Sequence, residues 1–195
     1  MKKKILLTAF GPFENVANNP SQLVIDDIKK KFENPLITYK ILDVSYDAVN
    51  VFLDELDAKF DLIIHTGVAY NNIKTRIEVL AKNKSNGKDV LGSEPDNDWI
   101  FENGVDLQTT FPKNLINSLM LNYENDVVIS DDAGAYLCNY IYYKSLTKFN
   151  KKIPVIFIHV SDFISNKNAI GMEIQSDMII WLINEYDRID NPNFQ

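Results

Sequence analysis

Apolar runs of strand length alternate with helix-spaced apolar residues along almost the whole chain, and this alternation restricts the possible folds most. Ile5-Leu6-Leu7-Thr8-Ala9 is a short apolar run closed by Gly11-Pro12, the pattern of a buried strand. Asn19-Pro20-Ser21 then supplies a cap residue and a first-turn proline. Val24, Ile25, Ile28 and Phe32 follow at helical spacing. The same reading predicts strands over 37–44, 61–67, 127–130 and 153–160, with a further short strand over 76–81. It predicts helices over 46–60, 114–123, 136–149 and 168–186. The stretch 83–104 breaks the rhythm. It is polar and rich in Asn, Asp and Gly, a long excursion of the kind that forms lids or binding loops.

Strands alternating with helices imply the α/β class, here a three-layer αβα sandwich with a mostly parallel central sheet. A chain of 195 residues suits one domain, 1–195, and 46% apolar content suffices for its core. Ligands of such sheets sit beyond the carboxyl ends of the strands. Phe10 to Phe13, the Gly67 loop, the turn from Asp131 to Cys138, and His159 all follow strands and are expected to share one edge.

Charge and composition narrow the function. The net charge of −7 argues against nucleic acid as the partner, because phosphate binding needs a Lys/Arg footprint. Lys2-Lys3-Lys4 precedes an apolar run of only about five residues, too short for a signal peptide, and no apolar stretch reaches the roughly 20 residues of a membrane span. A cytoplasmic location, without membrane contact, is expected. One cysteine allows neither an internal disulfide nor a Cys-rich zinc site. Neither GxGxxG nor a P-loop occurs, which disfavours nucleotide binding.

Cys138 follows the loop Ser130-Asp131-Asp132-Ala133-Gly134-Ala135 and falls in the first turn of a helix. Free amides and the helix dipole favour an anion there, so the thiol is expected to ionise more readily than usual. The same amides could hold an oxyanion. His159 closes the apolar strand Val155-Ile156-Phe157-Ile158, where a base can reach a nucleophile at a neighbouring helix start. His65 occupies a similar strand end and is the rival base. Glu78, in a half-buried segment, could orient an imidazole. Phe10 and Phe13 flank Gly11-Pro12 and could wall a small apolar pocket. Each residue, taken singly, also has a plain structural reading: a core thiol, a sheet-edge histidine, a solvated carboxylate, core aromatics.

Together these blocks resemble the pyroglutamyl peptidase I family, cysteine peptidases that remove an N-terminal pyroglutamate. Leu7-Thr8-Ala9-Phe10-Gly11-Pro12-Phe13 followed by Asn19-Pro20-Ser21 is similar to the family's N-terminal signature. Gly67, with Glu78 eleven residues on and then Val79, Ala81 and Asn83, resembles the segment around its catalytic glutamate. Ala133-Gly134-Ala135-Tyr136-Leu137-Cys138-Asn139 resembles its nucleophile motif, and Phe157-Ile158-His159-Val160 its histidine motif. The resemblance implies Cys138 as nucleophile, His159 as base and Glu78 as the residue orienting it. It places Phe10, Phe13, Asn19, Tyr136 and Leu137 around the substrate, demotes His65, and implies self-association into a homo-oligomer. Its chemistry requires no metal or organic cofactor, and its substrate is a small peptide with a blocked N-terminus.

The chain departs from the family in its loops. Gly67-Val68-Ala69-Tyr70-Asn71-Asn72 stands where the family has a Gly-Gln-Ala-Gly-Gly-Arg type loop. Lys88 stands about where the family has an arginine near the active site, and lysine lacks arginine's planar fork. Ser161 replaces a proline. Three functions remain open at this point: a pyroglutamyl peptidase, a thiol amidase for another small cyclic or amide substrate, and a non-catalytic binding protein on the same fold.

Overall fold

A computed structural model describes residues 2–13, 18–150 and 152–189. Among these residues, eight strands and five helices follow in chain order: β1 (Ile5–Phe10), α1 (Pro20–Lys31), β2 (Ile37–Leu42), α2 (Tyr46–Glu55), β3 (Leu62–Val68), β4 (Thr75–Glu78), β5 (Leu80–Ala81), β6 (Leu107–Gln108), α3 (Lys113–Asn122), β7 (Val127–Ser130), α4 (Leu137–Phe149), β8 (Val155–Val160) and α5 (Met172–Arg188). The main sheet has the order β2-β1-β3-β8-β4-β7, and β5 pairs with β6 in a small second sheet.

The central strands are buried on both faces, which is why they read as continuous apolar runs rather than alternating ones. Ile5, Leu7 and Ala9 of β1 face Val24, Ile25 and Ile28 of α1 and the apolar stripes of α3 and α5. Leu6 and Phe10 face the other way, against Val49 and Leu53 of α2 and Leu137, Ile141 and Leu146 of α4. Helices thus cover both faces of the sheet, giving the three layers.

Local signals set several boundaries. Asn19 caps α1, its side chain accepting from the Ser21 N–H at 3.0 Å, and Pro20 opens the helix. Ser45 caps α2 in the same way, through the Ala48 N–H at 3.1 Å. α2 stops at Glu55, short of the expected 60, as Leu56 turns extended. Phe60 then returns to the core.

Parallel pairing holds for β1 with β2, β1 with β3, β3 with β8 and β4 with β7. β4 is antiparallel to β8, with Arg76 opposite His159 and Glu78 opposite Phe157. This alters one expectation. β7 runs alongside β4, so the chain leaves it at Ser130, opposite Glu78 and so level with Phe157 rather than beyond His159. The segment 131–136 carries it back. Asp132 Oδ1 accepts from the Gly134 N–H at 3.0 Å, and Gly134 takes φ +84°, a conformation glycine adopts without strain.

The excursion 83–104 contains no helix or strand but is held by two side chains. Asn83 Oδ1 accepts from the Ile100 and Phe101 N–H groups, while its Nδ2 donates to the Phe101 and Gly104 carbonyls. Asp89 accepts from the backbone N–H groups of Tyr46, Leu91 and Ser93. Burial alone raises the Asp89 pKa, but these backbone donors outweigh it and hold the carboxyl below its ordinary range.

Candidate active site

Cys138, His159 and Glu78 converge on the α4 side of the sheet although they come from three separate parts of the chain. His159 Nδ1 lies 2.8 Å from Oε1 of the fully buried Glu78. Antiparallel pairing of β4 on β8 creates this contact, because it sets the Arg76-to-Glu78 face of one strand against the Phe157-to-His159 face of the other. The Phe157 ring packs on the imidazole with centroids 4.7 Å apart.

Gly67 fixes the sulfur's place. A Cβ at this position would lie 2.6 Å from Cys138 Sγ and 3.0 Å from Phe157 Cζ. The thiol therefore rests on the bare backbone of β3, and Gly67 is the direct register partner of His159. Adjacent strands are only about 4.8 Å apart, so the Cys138 thiol over Gly67 and the His159 imidazole are neighbours by construction. Both also line one cavity of roughly 500 Å³.

The thiol's ionisation departs from expectation. Burial, assisted by the negative charge of Glu78, pushes Cys138 up to about 12. Its position near a helix start does not offset desolvation. Desolvation thus favours the thiol over the thiolate at Cys138.

Phe10, Phe13, Asn19, Tyr136, Leu137 and Lys88 all border this cavity. Their parts differ. The Asn19 amide is consumed within the protein, donating to the Gly11 carbonyl at 2.9 Å and capping α1, so it holds the Gly11-Pro12 turn. Tyr136 donates its hydroxyl to the Lys88 carbonyl at 3.0 Å, tying the excursion to the start of α4. Lys88 Nζ pairs with Glu94 at 3.4 Å on an exposed surface. Phe13 meets Tyr70 edge-on at 6.0 Å, which makes the altered loop after β3 part of the wall.

His65 plays no part in the cavity. Its Nδ1 bonds Thr8 Oγ1 at 2.7 Å and its Nε2 bonds Ser145 Oγ at 2.8 Å, with no surface exposed. Burial drives its pKa from 6.5 to about 3, so it is a neutral core imidazole.

Two residues to which the sequence reading gave no role, Asn139 within the nucleophile motif and Arg76, shape the site. Asn139, fully buried beside the nucleophile, accepts from the Lys82 N–H and donates to the Lys82 and Lys84 carbonyls, locking β5 onto α4. Arg76 places Nε 3.2 Å from Glu78 Oε1 and also borders the cavity. Its two-residue spacing from Glu78 on one strand was the available signal, since strand residues i and i+2 share a face. Among the described residues no group of three or more His, Cys, Asp or Glu is placed to hold a metal ion.

Comparison with known proteins identifies the family. The family model for pyroglutamyl peptidase matches residues 3–178. The chain belongs to the pyroglutamyl peptidase family. It is 32% identical over 184 residues to a pyrrolidone-carboxylate peptidase of Oceanobacillus iheyensis, covering 89% of this chain and 90% of that protein. It is 27% identical over 167 residues to pyroglutamyl-peptidase 1 of Rattus norvegicus, covering 82% of this chain and 79% of that one. The fold superposes on pyroglutamyl peptidase I from Bacillus amyloliquefaciens with a TM-score of 0.82 at 21% identity, covering 98% of each chain.

Proposed function

We propose that this member of the pyroglutamyl peptidase family removes an N-terminal pyroglutamyl residue from peptides through Cys138, His159 and Glu78. The observation that carries the reading is the 2.8 Å contact of His159 with buried Glu78, beside a thiol seated on Gly67. His159 takes the Cys138 proton while the sulfur attacks the pyroglutamyl carbonyl, and Glu78 stabilises the imidazolium that forms. α4 opens with no side-chain cap bond and no acidic residue in its first turn. Its amides are left for the oxyanion. The imidazolium gives its proton to the departing amine, leaving a thioester. Water, deprotonated by His159, then releases pyroglutamate and restores the thiol.

The lactam ring carries no charge, and Phe10, Phe13, Val44, Val68 and Leu137 offer it an apolar wall. A second reading, an amidase for another small substrate, is favoured by one observation: Val68, Ala69 and Tyr70, from the loop that departs from the family pattern, form part of that wall. A cytoplasmic site of action suits a lone thiol that must stay reduced. Self-association belongs to the same reading, supported by Leu91, Phe101 and Val105, exposed at 72%, 59% and 70% on and beside the excursion.

The test is release of a fluorescent amine from a pyroglutamyl amide. Cleavage by the wild type that disappears in Cys138→Ala is expected. A well-folded, reduced wild type that leaves this amide intact but cuts another small amide would transfer the assignment to the second reading.

A further inference from the structure

Arg76 touches both Glu78 and the loop leading to Cys138. Its Nε lies 3.2 Å from Glu78 Oε1, the same oxygen that meets His159 Nδ1. Its Nη2 donates to Ser130 Oγ and, at 2.7 Å, to the Asp132 carbonyl. Asp132, Ala133 and Gly134 form the cavity wall just before α4. Glu78 Oε2, in contrast, is buried and has no hydrogen-bond partner. The carboxylate is therefore held at one oxygen only, between a guanidinium and an imidazole.

We infer that Arg76 is a positioning residue of the site, pinning Glu78 Oε1 toward His159 and fixing the loop that delivers Cys138. The inference rests on the proposed roles of Cys138 and His159 but not on the identity of the substrate. A carboxylate with one bonded and one unpaired oxygen can turn about its terminal torsion, and that turn would break the His159 contact. Arg76 blocks it, because its far end is tied to a different strand. The planar fork is needed for this. A lysine ammonium at the same place is a single point and cannot span Glu78, Ser130 and Asp132 at once.

The experiment uses Arg76→Gln and Arg76→Lys with two readouts, turnover of a pyroglutamyl amide and the rate of Cys138 alkylation by iodoacetamide at neutral pH. Alkylation needs no substrate and is calibrated against His159→Gln. In folded Arg76→Gln, kcat and the alkylation rate are both expected to fall on the order of 10- to 100-fold with KM within about threefold, since a misplaced base slows chemistry more than binding. Arg76→Lys is expected to recover only part of the loss. Wild-type alkylation and kcat in folded Arg76→Gln would overturn the inference. So would a rise in KM alone, which would make Arg76 a substrate contact. If Arg76→Gln does not fold, the lysine variant decides: reduced alkylation supports positioning, and a wild-type rate overturns it. A wild type inert toward pyroglutamyl amides, with alkylation that still depends on Arg76, would remove the proposed substrate and leave this inference standing.

Discussion

His65 and His159 sit on adjacent strands of one sheet, both nearly or wholly buried, yet only one is placed for chemistry. His65 spends both ring nitrogens on hydroxyls, Thr8 on one side and Ser145 on the other. A neutral imidazole has one donor and one acceptor, so it is saturated there. His159 spends Nδ1 on a carboxylate and turns the rest of its ring to a cavity shared with the only cysteine. The difference lies in the partners. Two hydroxyls satisfy a neutral ring and give no reason for it to take a proton. A carboxylate at Nδ1 fixes the ring's orientation and the tautomer that leaves Nε2 as the acceptor a general base needs. Only the Phe157 ring separates the two, at 4.7 Å from His159 and 6.5 Å from His65.

The largest effect that can break this contrast is on turnover. His159→Gln is expected to lower kcat/KM by roughly 10⁴-fold or more, the scale on which loss of a nucleophile's base acts. His65→Gln should leave kcat/KM within a small factor of wild type, as measured on the fluorescent amide. Comparable losses in both variants would show that the saturated histidine is not a bystander.

Gly67 gives the next largest effect. A methyl group there must displace the Cys138 sulfur, the Phe157 ring or both, since the contacts would fall at 2.6 and 3.0 Å. Gly67→Ala is expected to lower kcat by about 100-fold, as small displacements of reacting groups do. It should also cost about 1–3 kcal/mol of stability by overpacking, read from urea denaturation. Full activity in Gly67→Ala would mean that the sulfur does not work from its place over β3.

Much of this arrangement is legible in the sequence. Asn19-Pro20-Ser21 marks the start of α1, and the apolar runs locate the central strands because both of their faces are covered. Of the motif residues, Cys138 and His159 border one cavity, and Glu78 lies behind His159, in contact with its Nδ1. The direction of β4 was harder to see, although its signal was present. Only residues 69–74 separate β3 from β4, and a parallel return needs a crossover of a dozen or more residues. The insertion of β8 between them depends on pairing with a segment some 80 residues away, which no local pattern encodes. The Cys138 thiol departs from its local expectation for a related reason. Its helix position is local and favours ionisation, whereas its burial and the charge of Glu78 come from tertiary packing and prevail. The two-residue strand β6 carries too few residues for any periodicity.

The smallest effect concerns stability, and it isolates His65. Burial lowers its folded pKa from 6.5 to about 3. In that window the unfolded chain binds a proton that the folded protein refuses, so protonation favours unfolding. Its contribution is fully present above pH 6.5 and is lost progressively as pH falls toward 3. The slope approaches at most about 1.4 kcal/mol per pH unit. Urea midpoints between pH 7 and 5 are the useful range, because most carboxylates remain ionised there. The wild type is expected to lose stability across it, and His65→Gln to show a shallower slope by up to that amount. His159 is present in both proteins and cancels in the difference. Equal slopes would show that burial does not keep His65 neutral, and the division of labour between the two histidines would need another cause.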